Sequence, residues 1–242
     1  MKEDNRDLFF ADTNRKKQAI DNDFLSFLKN LKISDEDIKC ELQLQLLGDW
    51  EKLKFKIDYK TFKKDKKKLK KWYRPFQPKK NILNDRESIL LYGLDGDTPI
   101  EPTGLDQIYV KLGYKPKERD FCYPTEAKDQ LTCCKEIFDW WGNWGRSFLI
   151  KLNAGGFYPP HRDHFILQRD TIRLIGFIGN SSDKLEWEID GRRRYFQPNS
   201  LYYVNTAKLH RLSAWDHDCD MLVLNLPKTW DNIIKLLYKI HV

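Results

Sequence analysis

The sequence predicts a mainly β protein with flanking helices (α+β), its second half folded as an antiparallel sandwich or barrel. Two observations carry this. From Ser147 onward, short runs rich in Ile, Leu, Val, Phe and Tyr (FLIKLN, TIRLIGFIG, LEWEI, RRYF, LYYVN, KLHRLSA, MLVLNL) recur with turn signals between them. The first half instead places apolar residues at helical spacing, interrupted by irregular connections.

Taken in order, helices are expected over residues 23–31 and 34–47, the second opening on Ser34 with Glu36 and Asp37 in its first turn. From 54 to 80, Phe55, Ile57, Tyr59 and Phe62 first alternate and then give way to a lysine run. Pro75 and Pro78 stop any helix there, and the segment is expected to wrap the surface of the core. A strand-like SILLY at 88–92 leads to the turn-rich LDGDTPIEPTG, and 126–141 reads as one helix with an aromatic face. Trp140, Trp141 and Trp144 are read as a core wedge rather than a lid. Gly155-Gly156, Asn180-Ser181-Ser182, Asp190-Gly191 and Pro198-Asn199 punctuate the strand-rich half, and Asp190-Gly191 is the strongest hairpin signal. The expected division is a helical, basic extension over 1–125 packing on a strand-rich core over 126–242.

Composition narrows the function classes. An aromatic content of 14% within 242 residues excludes extensive disorder and suits one buried core with an extension. The chain has no run of about 18 apolar residues and opens on MKEDNRDLFF, which lacks a signal-type apolar region, so no membrane partner and a cytoplasmic location are expected. Five cysteines without a CxxC pair argue against a disulfide framework and a structural zinc site. The net charge of +7 is uneven: residues 60–80 hold eleven Lys or Arg against one Asp. A solvated helix face is the simpler reading of that run, and a nucleic-acid patch the sharper one.

The chemistry concentrates in GGFYPPHRDHF, residues 155–165. On an extended segment His161 and Asp163 project to one face, while Arg162 and His164 point the other way. Gly155-Gly156 allows a turn and Pro159-Pro160 stiffens the approach. His210 lies 47 residues after Asp163, in KLHRL. If its strand lies opposite, two imidazoles and a carboxylate form the facial triad of non-haem Fe(II) oxygenases, with the remaining metal positions open. The competing reading makes His161 and Asp163 a surface turn pair and His210 an ordinary sheet histidine. His217 and His241 are expected in solvent, and Tyr203 and Asn205 either line a pocket or serve packing.

LIKLNAGGFYPPHRDHF, TIRLIGFIGN, WEIDG and PNSLYYVNTAKLHRL together resemble the aspartyl/asparaginyl β-hydroxylase-like branch of the Fe(II)- and 2-oxoglutarate-dependent dioxygenases. The resemblance spans about 147–226, with weaker echoes in DRESILLYGLDGD and WGNWGRS. It implies a double-stranded β-helix (jelly-roll, cupin-like) core, with His161, Asp163 and His210 as catalytic iron ligands. It also implies 2-oxoglutarate and dioxygen as co-substrates, and hydroxylation of a C–H bond of an amino-acid side chain in a protein, a peptide or the free amino acid. Arg173 falls on the family's arginine after the metal motif. The arginine that family members carry about ten residues beyond the distal histidine is here Asp220. Either another cation then meets the distal carboxylate, with Arg173 first, then Arg211 and Lys151, or a different 2-oxo acid is bound. Two alternatives belong to other classes: a cupin-like metal or small-molecule binding module without oxygenase activity, and a nucleic-acid-binding protein working through residues 60–80.

Overall fold

Two antiparallel sheets face each other in the computed structural model, which describes residues 34–76, 86–94, 113–114, 116–163, 169–179 and 185–241. The helix expected over 23–31, His164 and the Asn180-Ser181-Ser182 turn lie outside these residues. In chain order the elements begin with α1 (Asp35–Leu46), β1 (Trp50–Lys56), α2 (Tyr59–Leu69), β2 (Arg74–Pro75), β3 (Arg86–Leu90), β4 (Tyr92–Gly93), β5 (Tyr123–Pro124), α3 (Glu126–Gln130) and α4 (Lys135–Trp141). The jelly roll follows: β6 (Phe148–Leu152), β7 (Phe157–His161), β8 (Thr171–Ile178), β9 (Leu185–Ile189), β10 (Arg192–Arg194), β11 (Ser200–Val204), β12 (His210–Ala214) and β13 (Cys219–Pro227). Helix α5 (Trp230–His241) closes the order.

The large sheet runs β1-β11-β8-β13-β6-β3-β2 and the small one β10-β9-β12-β7, a jelly roll with flanking helices. The period of two sorts each large-sheet strand between two cores. Ile175, Tyr202, Met221 and Val223 face inward, where Trp187 and Leu212 of the small sheet meet them. Their neighbours Leu174, Tyr203, Leu222 and Leu224 face outward, beneath Leu44 of α1, Phe62 of α2, Trp141 of α4 and Ile233 of α5. Tyr203 is therefore packing, and its hydroxyl donates to the Leu44 carbonyl. Trp141 and Trp144 are wedged in the same outer core.

Several connections follow the local chemistry. Ser34 caps α1 in a reciprocal box with Asp37. Asp190 and Gly191 both take positive φ, the pairing that a tight two-residue hairpin between β9 and β10 requires. The helix expected over 126–141 is broken at 131–134. There the carboxylate of buried Asp65, the one acid of the lysine run, accepts from Thr132 Oγ1 at 3.0 Å and from the Cys133 amide at 2.9 Å, drawing a 3-10 turn inward. The lysine run is helix α2, lying on the surface of the core with most of its lysines exposed. The segment before residue 126 does more than pack on the core: it supplies β1, β2 and β3 to the large sheet.

Gly145 shows how that segment reaches the interior. A Cβ there would lie 2.7 Å from the Glu118 carbonyl oxygen, and the adjacent Arg146 amide donates to that same oxygen at 2.9 Å. Glycine thus lets the 3-10 turn Glu118–Asp120 close on β6 and carry Glu118 inward. Gly145→Ala is expected to cost about 1–3 kcal/mol, because backbone rather than a flexible side chain must move. Thermal unfolding measures it, and an unchanged midpoint would show that the approach is not tight.

Candidate metal centre

Pairing of β7 with β12 sets His161 directly opposite His210. β7 tolerates Pro159-Pro160 because it is the edge strand of the small sheet and its pairing with β12 shifts register there, between Tyr158 opposite Leu212 and His161 opposite His210. Asp163, two residues on, is fixed by its amide, which donates to the Thr206 carbonyl at 3.0 Å. Arg162 is exposed and turned away, its guanidinium donating to the Ala207 carbonyl.

The three side chains converge. Asp163 Oδ1 is 3.4 Å from His161 Nε2 and 3.9 Å from His210 Nε2, and the two imidazole centres are 4.3 Å apart. Among the described residues this is the one group of three His, Cys, Asp or Glu side chains whose ligand atoms converge, all within 4.8 Å. Each imidazole is held by a backbone carbonyl at Nδ1: Pro159 at 2.7 Å from His161 and Lys208 at 2.9 Å from His210. A carbonyl only accepts, so the proton resides on Nδ1 and both Nε2 lone pairs point into the cluster. Trp187 stacks on His210 with the rings 3° from parallel, and Tyr158 stacks on His161. Neighbouring donors on one face of an ion with bonds of about 2.1 Å sit about 3 Å apart, so this set fits a metal after small adjustments.

The electrostatics suit that geometry. Burial opposes ionisation of Asp163, yet the Arg173 guanidinium, with the two histidines, holds its carboxyl well below the usual carboxylate range. The His161 imidazole is pushed up, chiefly by its contact with Asp163. His210 is pushed down, chiefly by burial.

The cluster opens on a cavity of about 420 Å³, within the range of small-molecule sites, walled by apolar side chains such as Phe148, Ile175 and Met221. Three arginines line it: Arg86, Arg146 and Arg173. Arg173 Nη2 lies 3.1 Å from Asp163 Oδ2, so it grips the carboxylate oxygen that faces away from the histidines. Glu118 sits between Arg173 at 3.5 Å and Arg146 at 3.8 Å and accepts from Thr171 Oγ1.

Two residues expected to meet a co-substrate lie elsewhere. Arg211 falls between inward-facing His210 and Leu212, so it points outward and pairs with Glu188 at 2.7 Å. Lys151 lies between inward-facing Ile150 and Leu152 and pairs with Asp218 and Glu87. Parity also accounts for Asp220: Met221 and Val223 are the inward residues of β13, and Asp220 faces out to Lys66 of α2 at 2.6 Å. Asn205 is buried and accepts from Arg169, whose guanidinium also clasps Glu41 of α1. Glu118, Arg146 and Arg86 were not legible as site residues. Arg86 and Arg146 nonetheless stand inside DRESILLYGLDGD and WGNWGRS, the two stretches with the weaker family echo.

The described chain is thus a jelly-roll protein with a His-Asp-His cluster at an arginine-lined cavity. No family model matches it, and no curated protein matches it. Solved structures overlap about a third of it. A protein of unknown function from Streptococcus pyogenes, SPY1581, is similar at 16% identity over 34% of this chain, with a TM-score of 0.27; the chain spans 64% of that structure's length. A cupin domain of an XRE family transcriptional regulator from Enterobacter cloacae is similar at 22% identity over 34% of this chain and 79% of that one, TM-score 0.27. The DMSP lyase DddQ from Ruegeria pomeroyi is similar at 17% identity over 34% of this chain and 37% of that one, TM-score 0.26. No helix among the described residues is long and apolar enough to cross a membrane.

Proposed function

We propose that the protein is an Fe(II)- and 2-oxoglutarate-dependent dioxygenase that hydroxylates a C–H bond of an amino-acid side chain, either in a protein or peptide or as the free amino acid. The observation that carries this reading is the convergence of His161 Nε2, His210 Nε2 and Asp163 Oδ1 at the cavity. When bound, Fe(II) supplies with dioxygen the oxidation of the substrate C–H bond, coupled to decarboxylation of 2-oxoglutarate to succinate. His161, Asp163 and His210 would hold the ion, and Arg173 orients Asp163 through its second oxygen. Arg146, buried in the same cavity, is the cation we assign to the distal carboxylate, replacing the arginine absent from β13. The apolar walls keep water from the reacting end.

Calorimetry with 2-oxoglutarate and the Mn(II)-loaded protein without oxygen tests this. Metal-dependent binding is expected, weakened roughly 10- to 100-fold in Arg146→Met, the worth of one charge-assisted pair. Binding without metal, or none at all, would contradict it. The outcome of no binding favours the second reading, a cupin-like metal or small-molecule module without oxygenase activity, for which Met221 and Val223 at the inward positions of β13 speak.

Metal affinity should also depend on pH with a definite sign. The metal takes neutral imidazole. Because the His161 pKa is raised above 6.5 and that of His210 is lowered, His161 is the group whose proton must leave. Affinity is expected to rise as pH climbs through and above 6.5 and then to level, with up to one proton released per metal on the rising limb and none on the plateau. Titrations at pH 6 and pH 8 in two buffers of different ionisation enthalpy check both, and equal affinity at the two values would sink the assignment.

A further inference from the structure

We propose that the solvent face of α2, continued through Lys70, Lys71 and Arg74, is a sequence-independent docking surface for nucleic acid. Every exposed position of α2 is a lysine: Lys60, Lys63, Lys64, Lys67 and Lys68. With Lys70 and Lys71, at 100° per residue, they cover an arc of about 160°. Its one acid, Asp65, is turned inward and spent on Thr132 and Cys133. Seven exposed lysines and Arg74 exceed the formal net charge of +7, so the remainder of the chain carries no positive surplus.

This pattern is costly for a merely solvated helix. Lys60/Lys64, Lys63/Lys67 and Lys64/Lys68 are like-charge pairs one turn apart, each of which weakens a helix where Glu would strengthen it. Lys60, Lys63 and Lys64 also crowd the N-terminal half, where the helix dipole disfavours cations. A bound polyanion relieves both. Nearby acids answer only part of the charge: Asp220 pairs with Lys66, and Glu126 and Asp129 share a surface hollow with Lys68 and Lys71.

The partner follows from what the face lacks. Phe62 and Leu69, the apolar side of α2, are 1% and 0% exposed, so no apolar stripe remains to enter a lipid surface. An acidic polypeptide would meet Glu126 and Asp129 in the hollow beside Lys68 and Lys71, which repel it. Regularly spaced phosphates need only point charges, which lysine supplies. Lysine alone reads no base edge, so binding should be indifferent to sequence.

Fluorescence anisotropy with labelled single-stranded and duplex 20-mers of DNA and RNA tests the proposal, using the full chain. With about four phosphate contacts to a single strand, affinity should fall roughly 50-fold between 50 and 200 mM salt. Lys63→Glu/Lys67→Glu/Lys71→Glu should bind at least tenfold more weakly, whereas Lys117→Glu/Lys135→Glu/Arg192→Glu, equal in net charge, should stay within threefold of the parent. If the first variant does not fold, Lys67→Gln alone should reduce the salt slope by about 0.7. Absence of binding at 50 mM salt, equal losses in the two charge variants, or tighter binding to poly-glutamate or phosphatidylserine vesicles would each overturn it. None of these readouts depends on the metal site.

Discussion

His161→Ala is expected to lower Mn(II) affinity by more than 100-fold and to abolish Fe(II)-dependent formation of succinate from 2-oxoglutarate. The variant deletes one of three protein donors whose lone pair is aimed by a backbone carbonyl, and the remaining two cannot define one face of a metal. Stability should change by less than about 1 kcal/mol, because His161 is half-buried at the end of an edge strand and leaves no buried partner unsatisfied. Far-UV circular dichroism and thermal unfolding would separate loss of the site from loss of the fold. Undiminished turnover would mean that the histidine cluster is structural.

Glu118→Ala carries the largest expected cost to stability, about 3–5 kcal/mol. Its carboxylate is 4% exposed and is shared between Arg146 and Arg173, both of them interior. Removing it leaves two cations confined together without the carboxylate that they share, Arg173 keeping Asp163 and Asp170. Denaturant unfolding measures the effect, and a loss below about 1 kcal/mol would show that water replaces the carboxylate freely. Metal affinity should also fall, since Arg173 loses the Glu118 carboxylate that helps hold it against Asp163.

Strand identity was readable wherever apolar runs were bounded by turn residues, as for β8, β9 and β11 to β13, because burial imposes those patterns locally. β7 carried no such signal. FYPPH reads as a turn approach, and only a sheet edge with a register shift opposite them makes two prolines compatible with a strand. Helix α5 was overlooked although Ile233, Leu236, Leu237 and Ile240 already had helical spacing. The candidate ligand set was legible because His161 and Asp163 share one motif and His210 stands in the fifth candidate strand after it. Glu118 and Arg146 were not, because a tertiary contact at Gly145 brings them together from separate segments. Parity decides what stands at the expected arginine: the tenth residue beyond His210 is Asp220, which faces out to Lys66, and the inward positions are its neighbours.

The most direct test is anomalous diffraction from crystals grown with Mn(II) and 2-oxoglutarate without oxygen. The account predicts one manganese peak at about 2.0–2.3 Å from His161 Nε2, Asp163 Oδ1 and His210 Nε2, with the distal carboxylate of 2-oxoglutarate against Arg146. Manganese bound elsewhere, or a cavity that excludes the dicarboxylate while the metal is in place, would contradict it.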